Sequence, residues 1–444
     1  MSRRVVITGA GCATPLGTDL AKVWRSLTEG RSGIGPISLF DAGRFPVRIA
    51  AEVKDLDQAD FGSSSIDWSA HPRQTRFAAT SAVQAAQAAG IAPGSVDSTR
   101  LGVYLGCGEI FWDLSEFGPL MAEALRDGRF DPARFFREAL CRSEGRVQEN
   151  NEPNMPSYCL AGLFDAQGPN LNCIAACASS TQAIGGAAEV IRRNEADVMF
   201  AGGAHSMVNP IAMSGLHLLS VLSTDNDRGP AAMRPFDGSR QGFVVGEGGA
   251  VVVLEELEHA RSRGAEILGE LTGFASSHDA YRVTDTHPDG RGYVHCVRQA
   301  LQQARLNLTD IDYINAHGTS TVLNDRIETL ALKRAFGREA YLIPVSSTKS
   351  MMGHATTACG AIEMIVALMA VRTGVVPPTI NYETFDPDCD LDYVPNTARE
   401  IQCRHVLSNS LGFGGQNATI VVSRFDEASP SRGTAGTPGR RTAA

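Results

Sequence analysis

Reactive side chains gather in a few short stretches of this 444-residue chain. The first, LNCIAACASSTQAIGG at 171–186, holds Cys173 and Cys177, followed by hydroxyls and then small residues. Cys177 opens a helical pattern, and Ser179, Ser180 and Thr181 are candidates to cap its first turn. A thiol there faces the positive end of the helix dipole and free N–H groups, which lower its pKa and raise the thiolate fraction. Cys173 lies one turn earlier, outside that field, so Cys177 is the candidate nucleophile. In DYINAHGTSTVLND, His317 comes directly after a strand pattern and before Gly318, Thr319, Ser320 and Thr321. In IPVSSTKSMMGHATTACGAIE, a strand ends in hydroxyls and then offers Lys349 and His354. The stretch LSNSLGFGGQN, 407–417, sets Phe413 in a glycine-rich turn. Such a turn brings backbone N–H groups to an oxyanion, or simply reverses the chain.

Short β-branched runs alternate with Ala-rich helical stretches along the chain. Strand patterns include RRVVITGAG, RLGVYLGCG, ADVMFAGGAH, GAVVVLEEL, EILGELTGFA, DYINAHGTS, IPVSSTK, HVLSNSLGF and ATIVVSRF. Helical patterns between them include QTRFAATSAVQAAQAAG, SSTQAIGGAAEVIRRNE, GYVHCVRQALQQARL, RIETLALKRAFG and AIEMIVALMAVRTG. This order predicts an α/β fold of buried strands and crossover helices. Reactive groups in such folds gather outside the carboxyl ends of the strands, where Cys177, His317, Lys349 and His354 all fall. A charged helical piece, ELEHARSRG, ends at Gly264, which divides the chain into halves at 1–258 and 259–426. The segment 427–444, rich in Pro, Gly, Ser, Thr and Arg without periodicity, reads as a disordered tail. TGAGCATPLG imitates a dinucleotide fingerprint but lacks its third glycine, and no ribose-binding acid follows a second strand.

Composition narrows the function. The formal charge of −9 argues against nucleic-acid binding. Ten cysteines without a CxxC pair or a Cys/His cluster at zinc spacing point to a reducing cytoplasm, no disulfide framework and no metal. The N-terminus has no signal-peptide layout, and the most apolar run, AIEMIVALMAVRTGVV, carries Glu363 and Arg372, so no membrane association is expected. Basic residues cluster at Arg73 and Arg76 and at Arg134 and Arg137, either as solvated helix faces or as a dock for an acidic protein.

Taken in order, CIAACASS, NAHGTST, SSTKSMMGH and GFGG, with RPFDGSRQGFVVGEGG and LSTDND between them, resemble the β-ketoacyl-acyl-carrier-protein synthases, most closely the elongating type II form. The resemblance runs from Val5 to about Arg424. It implies a thiolase-like fold of two duplicated halves in an α-β-α-β-α layering, forming a homodimer or a heterodimer with a Cys-less chain-length factor. It implies a decarboxylative Claisen condensation. Cys177 accepts an acyl group from a carrier protein's phosphopantetheine arm, and malonyl-carrier protein then loses CO₂ and attacks the thioester. His317 and His354 would stabilise the enolate. Lys349 would pair with Glu363, and Thr319 and Thr321 would hydrogen-bond the pantetheine arm. The amides of Cys177 and Phe413 would form the oxyanion hole. No bound cofactor is implied, because the carrier protein supplies its own arm.

Several positions depart from the family pattern: AAC before the nucleophile, Gln241, Arg282, and a longer 106–158 segment. Glu109 falls where an aliphatic residue usually gates the acyl pocket, so it either lines the acyl tunnel or is turned out to solvent by the altered 106–158 segment. A carboxylate lining the tunnel is costly unless paired, hydrated or protonated. The acyl substrate is thereby left open, and elongation in fatty-acid-like synthesis stands beside a specialised polyketide or polyene role. A non-catalytic scaffold is disfavoured by the intact Cys/His/His set.

Overall fold

The computed structural model describes residues 3–54, 56, 67–111, 114–142 and 149–427. The tail expected over 427–444 lies, beyond Glu427, outside the described residues, as do parts of the 106–158 segment.

One arrangement occurs twice. In the first half the order is β1 (Val5–Ala13), α1 (Arg73–Ala89), β2 (Leu101–Leu105), α2 (Met155–Phe164), β3 (Asn170–Asn172), α3 (Ser179–Arg192), β4 (Val198–Ser206) and β5 (Glu247–Glu256). In the second it is β6 (Gly269–His278), α4 (Arg291–Ala304), β7 (Tyr313–Asn315), α5 (Val322–Phe336), β8 (Val345–Ser346), α6 (Cys359–Thr373), β9 (His405–Gly412) and β10 (Gln416–Ser423). The strands form one ten-stranded sheet in the order β8-β7-β9-β10-β6-β1-β5-β4-β2-β3. Each half therefore runs first-fifth-fourth-second-third, with antiparallel pairing around its fifth strand and parallel pairing outward. Within the sheet, the described residues of the two halves pair through Val6↔Glu270 and Ile7↔Gly269. A short helix, Leu257–Ser262, connects them, and the division expected at 258/259 falls within it.

Three cores separate the layers. Phe77 of α1 and Phe164 of α2 pack on Leu101 and Phe200 of the first half. Val297 of α4 and Leu332 of α5 pack on Ile314 and Val421 of the second. Between the two five-stranded halves of the sheet lie α3 and α6, where Ile184 and Ile191 meet a cluster that includes Met364, Ile365, Leu254 and Ile420. The result is the helix–sheet–helix–sheet–helix layering that the resemblance implies. Strands covered on both faces read as continuous apolar runs, and a helix covered all round loses its polar face. So α6 and its preceding turn, Thr356–Thr373, reach a membrane-like length of 18 residues and a mean hydropathy of 1.3 despite Glu363 and Arg372. The stretch is 83% buried within the fold, as a core helix should be.

The imitation fingerprint in β1 has a packing cause. A Cβ on Gly9 would lie 2.0 Å from the Ala85 carbonyl oxygen of α1, and one on Gly11 2.2 Å from that of Ser81. These glycines let a helix lie directly on a strand rather than cradle a phosphate.

Candidate active site

The loops leaving β3, β7, β8 and β9 converge on one cavity of about 340 Å³, lined by Cys177, His317, Thr319, Thr321, His354 and Phe413 among others. The Cys177 sulfur and one nitrogen from each of His317 and His354 all lie within 4.8 Å of one another. The rings of the two histidines meet edge to face, with centroids 5.4 Å apart. Sequence reasoning assembled this set from separate stretches, and the fold brings it together.

Cys177 sits on a strained turn. Ala176, just before it, has φ of 48°, a left-handed conformation costly for a residue with a Cβ. Gly412 supports this turn from below, since a Cβ there would lie 2.8 Å from the Ala175 oxygen and 3.2 Å from the Cys177 nitrogen. The helix itself starts at Ser179 with Ala178 at its N-cap and no side-chain cap, so the expected hydroxyl capping is corrected. Ser179 Oγ accepts from Ala175 N at 2.8 Å, Ser180 Oγ accepts from Ala361 N at 2.9 Å, and Thr181 Oγ1 bonds Ser410 Oγ at 2.7 Å. The hydroxyls brace the elbow and tie α3 to α6 and β9.

The expectation of a depressed thiol pKa is also corrected. Burial pushes Cys177 up to about 11, against the opposing pull of the Lys349 charge and the Phe413 N–H. Its resting form is the thiol. Burial, then Lys349, then His354 hold His317 well below 6.5. Burial, Lys349 and His205 do the same for His354. Neutral imidazoles beside a thiol can take its proton and can also donate N–H to a developing anion.

Lys349 lies under this group. Its Nζ donates to the His317 carbonyl at 2.6 Å, stands 3.4 Å from His317 Nδ1, and pairs with Glu363. Glu363 raises the Lys349 pKa, overcoming the burial that lowers it, while burial lifts Glu363 to about 7. With an ammonium at Nδ1, the neutral His317 ring carries its proton on Nε2. One sulfur and two imidazoles could also ligate a soft divalent ion. The adjoining Lys349 charge disfavours a dication.

Residues 2–260 match the family described as Beta-ketoacyl synthase, N-terminal domain, and residues 268–383 match Beta-ketoacyl synthase, C-terminal domain. The chain belongs to the beta-ketoacyl synthase family. This ketosynthase is 42% identical over 432 residues to 3-oxoacyl-(acyl-carrier-protein) synthase 2 of Coxiella burnetii, covering 96% of this chain and 99% of the other. It is 40% identical over 443 residues to the tetracenomycin polyketide synthase ketoacyl synthase alpha subunit of Streptomyces glaucescens, covering 96% and 98%. Among solved structures it resembles the ishigamide ketosynthase/chain length factor, with TM-score 0.85, 30% identity and coverage of 96% and 100%. A type II polyketide acyl-carrier protein in complex with its ketosynthase, bound to the hexaketide, gives TM-score 0.83, 31% identity and the same coverage.

Sequence reasoning missed three side chains of this ketosynthase's site. Glu328 of α5 accepts from the His317 and Gly318 N–H groups at 2.8 and 2.7 Å and so sets the loop carrying His317. Cys359 Sγ lies 2.9 Å from His354 Nδ1. His205, at the end of β4, bonds Thr356 and the Glu109 carbonyl, the latter at 3.1 Å, and burial lowers it to about 4. A histidine ending an apolar strand was a visible signal, the same one that marked His317.

Thr319 and Thr321 line the cavity with their hydroxyls 2.9 Å apart, and Thr321 also caps α5 through Asn324 N at 3.3 Å. Other expectations are displaced. Glu109 turns its side chain to the surface and does not line the cavity, because its carbonyl is held inward by His205. Arg282, one of the departures from the family pattern, pairs with Asp285 at 3.1 Å. Arg73 does not project as a free docking charge, because its guanidinium pairs with buried Glu247 and donates to the Val53 carbonyl at 2.8 Å. It borders a wider cleft of about 1030 Å³ that holds neither Cys177, His317 nor His354. Arg76 is half-buried on α1. Arg134 and Arg137 lie on the helix Pro132–Arg142, with Arg134 half-buried and Arg137 exposed.

Proposed function

We propose that this ketosynthase extends acyl chains by decarboxylative condensation on a carrier protein, with Cys177 as the nucleophile. The observation that carries the reading is the buried convergence of one thiol with two neutral imidazoles over the Lys349–Glu363 pair. In the first stage the Cys177 sulfur attacks the thioester of an acyl-carrier protein and its proton passes to an adjoining imidazole. The carrier's C–S bond breaks, the carrier leaves as a thiol, and the acyl group rests on Cys177. The N–H groups of Cys177 and Phe413 face the carbonyl oxygen. In the second stage the carboxylate of malonyl-carrier protein departs as CO₂. Nε2–H groups of His317 and His354 hold the resulting enolate oxygen. Its carbon then forms a C–C bond with the Cys177 thioester, whose C–S bond breaks, and the sulfur regains a proton. Thr319 and Thr321 stand where a pantetheine arm would pass. The arm arrives with the carrier, so the reaction as proposed needs no resident cofactor.

The partners follow from the same reading. Among the described residues β3 lies at an edge of the sheet, and Ile174, Tyr158, Phe136 and Leu140 expose apolar side chains in the same half. Such an edge and face suit a second subunit, either another copy or a chain-length factor. The second reading, a polyketide subunit with that partner, is favoured by the likeness to the ishigamide ketosynthase/chain length factor. Arg137 remains the most open of the proposed carrier-docking charges. Ten free cysteines suit a cytoplasmic, reducing setting.

Intact-mass spectrometry after incubation with a panel of acyl-carrier proteins tests the function. Acyl adducts on wild type that vanish in Cys177→Ala, with 3-oxoacyl-carrier product on adding malonyl-carrier protein, support it. No adduct from any acyl donor would overturn it. Mass photometry of the protein alone then separates a homodimer from a chain awaiting another subunit.

A further inference from the structure

His354 is held from one side only. Its Nδ1 faces the Cys359 sulfur at 2.9 Å and the Thr356 backbone N–H at 3.3 Å, and all three residues are buried. The rest of the ring packs edge-on against Phe243, with centroids 4.8 Å apart, and against His317. Nε2 is the ring nitrogen left for the cavity. A neutral imidazole carries one proton, and the hydrogen bond at one nitrogen decides which nitrogen bears it. An enolate donor must carry it on Nε2.

The Thr356 N–H can only donate. It is fixed at that angle because Thr356 has φ of 48° and its hydroxyl is bound to His205. A proton on Nδ1 would meet this N–H head-on, so Nδ1 is the acceptor, and the Cys359 thiol shares its lone pair as the second donor. We propose that Cys359 is a positioning residue for His354, its S–H donating to Nδ1 and thereby keeping the ring's proton on Nε2. Burial above all holds the Cys359 thiol well above its ordinary pKa, so it keeps the proton it donates. Lys349 does the same for His317, through Nδ1 at 3.4 Å. Each imidazole thus has a donor behind it, an ammonium for one and a thiol for the other.

The proposal rests on the ketosynthase reading for its consequence, though its geometry can be read without turnover. The first measurement is the ¹⁵N spectrum of wild-type protein with labelled histidine rings, the His354 signals being identified by their loss in His354→Asn. Nδ1 bare and Nε2 protonated is the expected result, and a protonated Nδ1 overturns the proposal even if no Cys359 variant folds. The second compares stages. Cys359→Ala should slow malonyl decarboxylation by about tenfold, the scale of one buried hydrogen bond, while Cys177 acylation stays near wild type. Cys359→Ser, which keeps a donor, should return the rate to within about threefold. Unchanged decarboxylation in Cys359→Ala, or an equal fall in both stages, overturns the assignment. Wild-type protein that neither acylates nor decarboxylates would instead defeat the ketosynthase reading and leave the tautomer measurement standing.

Discussion

Burial and charge pull the Cys177 thiol in opposite directions, and burial prevails at about 11. On the proposed reaction, its attack would depend on a neutral imidazole that takes the proton, not on a thiolate formed in advance. Cys177→Ala should abolish acyl-enzyme formation and Cys173→Ala should preserve it, as intact mass would show, since the Cys173 sulfur lies 3.6 Å from Gln182 and outside the cavity. Labelling that survives in Cys177→Ala would remove the nucleophile assignment. Removing either imidazole, in His317→Ala or His354→Ala, should slow decarboxylation by a factor of roughly 100 to 1000, the scale of one oxyanion donor. Wild-type rates in those variants would show that neither holds the enolate. Both rings lie well below 6.5, so they stay neutral as pH falls through that value, while the unfolded chain takes up protons there. The pair consequently weakens folding below pH 6.5, and its ring protons should not titrate by NMR between pH 8 and 6. Titration near 6.5 would contradict the buried, neutral pair. At this scale Cys177, His317, Lys349 and His354 were legible because each follows a strand pattern within a few residues. Glu328 and Cys359 were not, because their contacts depend on helix docking. The thiol's protonation was misjudged because the helix field is visible in sequence and the depth of burial is not.

Helices here sit on strands with no room for a side chain between them. Gly9→Ala drives a Cβ into the Ala85 carbonyl, a backbone atom that cannot swing aside, and should destabilise the fold by roughly 3 kcal/mol. Differential scanning calorimetry would show it, and an unchanged midpoint would mean that α1 shifts freely. Gly412 makes a similar contact under the nucleophile's turn, so its substitution should disturb acylation as well as stability. Most elements could be read from sequence because strands buried on both faces and Ala-rich helices carry strong patterns. β3 could not, being three residues long, polar and at an edge. Hydroxyls after Cys177 looked like caps because composition cannot tell a cap from a tie between two buried helices.

Within the first half, Asp197 ties the N-terminal segment and the start of β2 together by binding Arg3 and Arg100, the latter at 3.0 Å, near the meeting of α3 and β4. The hydrogen bond from Arg100, with Arg3 and against burial, holds its carboxyl at about 2. Its contribution is present above the ordinary 3.8 and fades as pH falls towards 2. Asp197→Asn should lower the melting temperature at pH 7 and close the gap with wild type near pH 2; a gap independent of pH would assign the loss to packing. Two α/β halves were legible in the pattern, but their duplication came only with the family resemblance, because it resides in strand order rather than in any repeated string. The loop from β3 to α3, which carries Cys177, and the loop from β8 to α6, which carries Lys349 and His354, are the same connection in the two copies. Two identical halves would present the same side chains on both turns. Joined by Leu257–Ser262, the halves of this chain carry a thiol on one turn and an ammonium and an imidazole on the other. The chemistry proposed for the cavity draws on that difference between two copies of one connection.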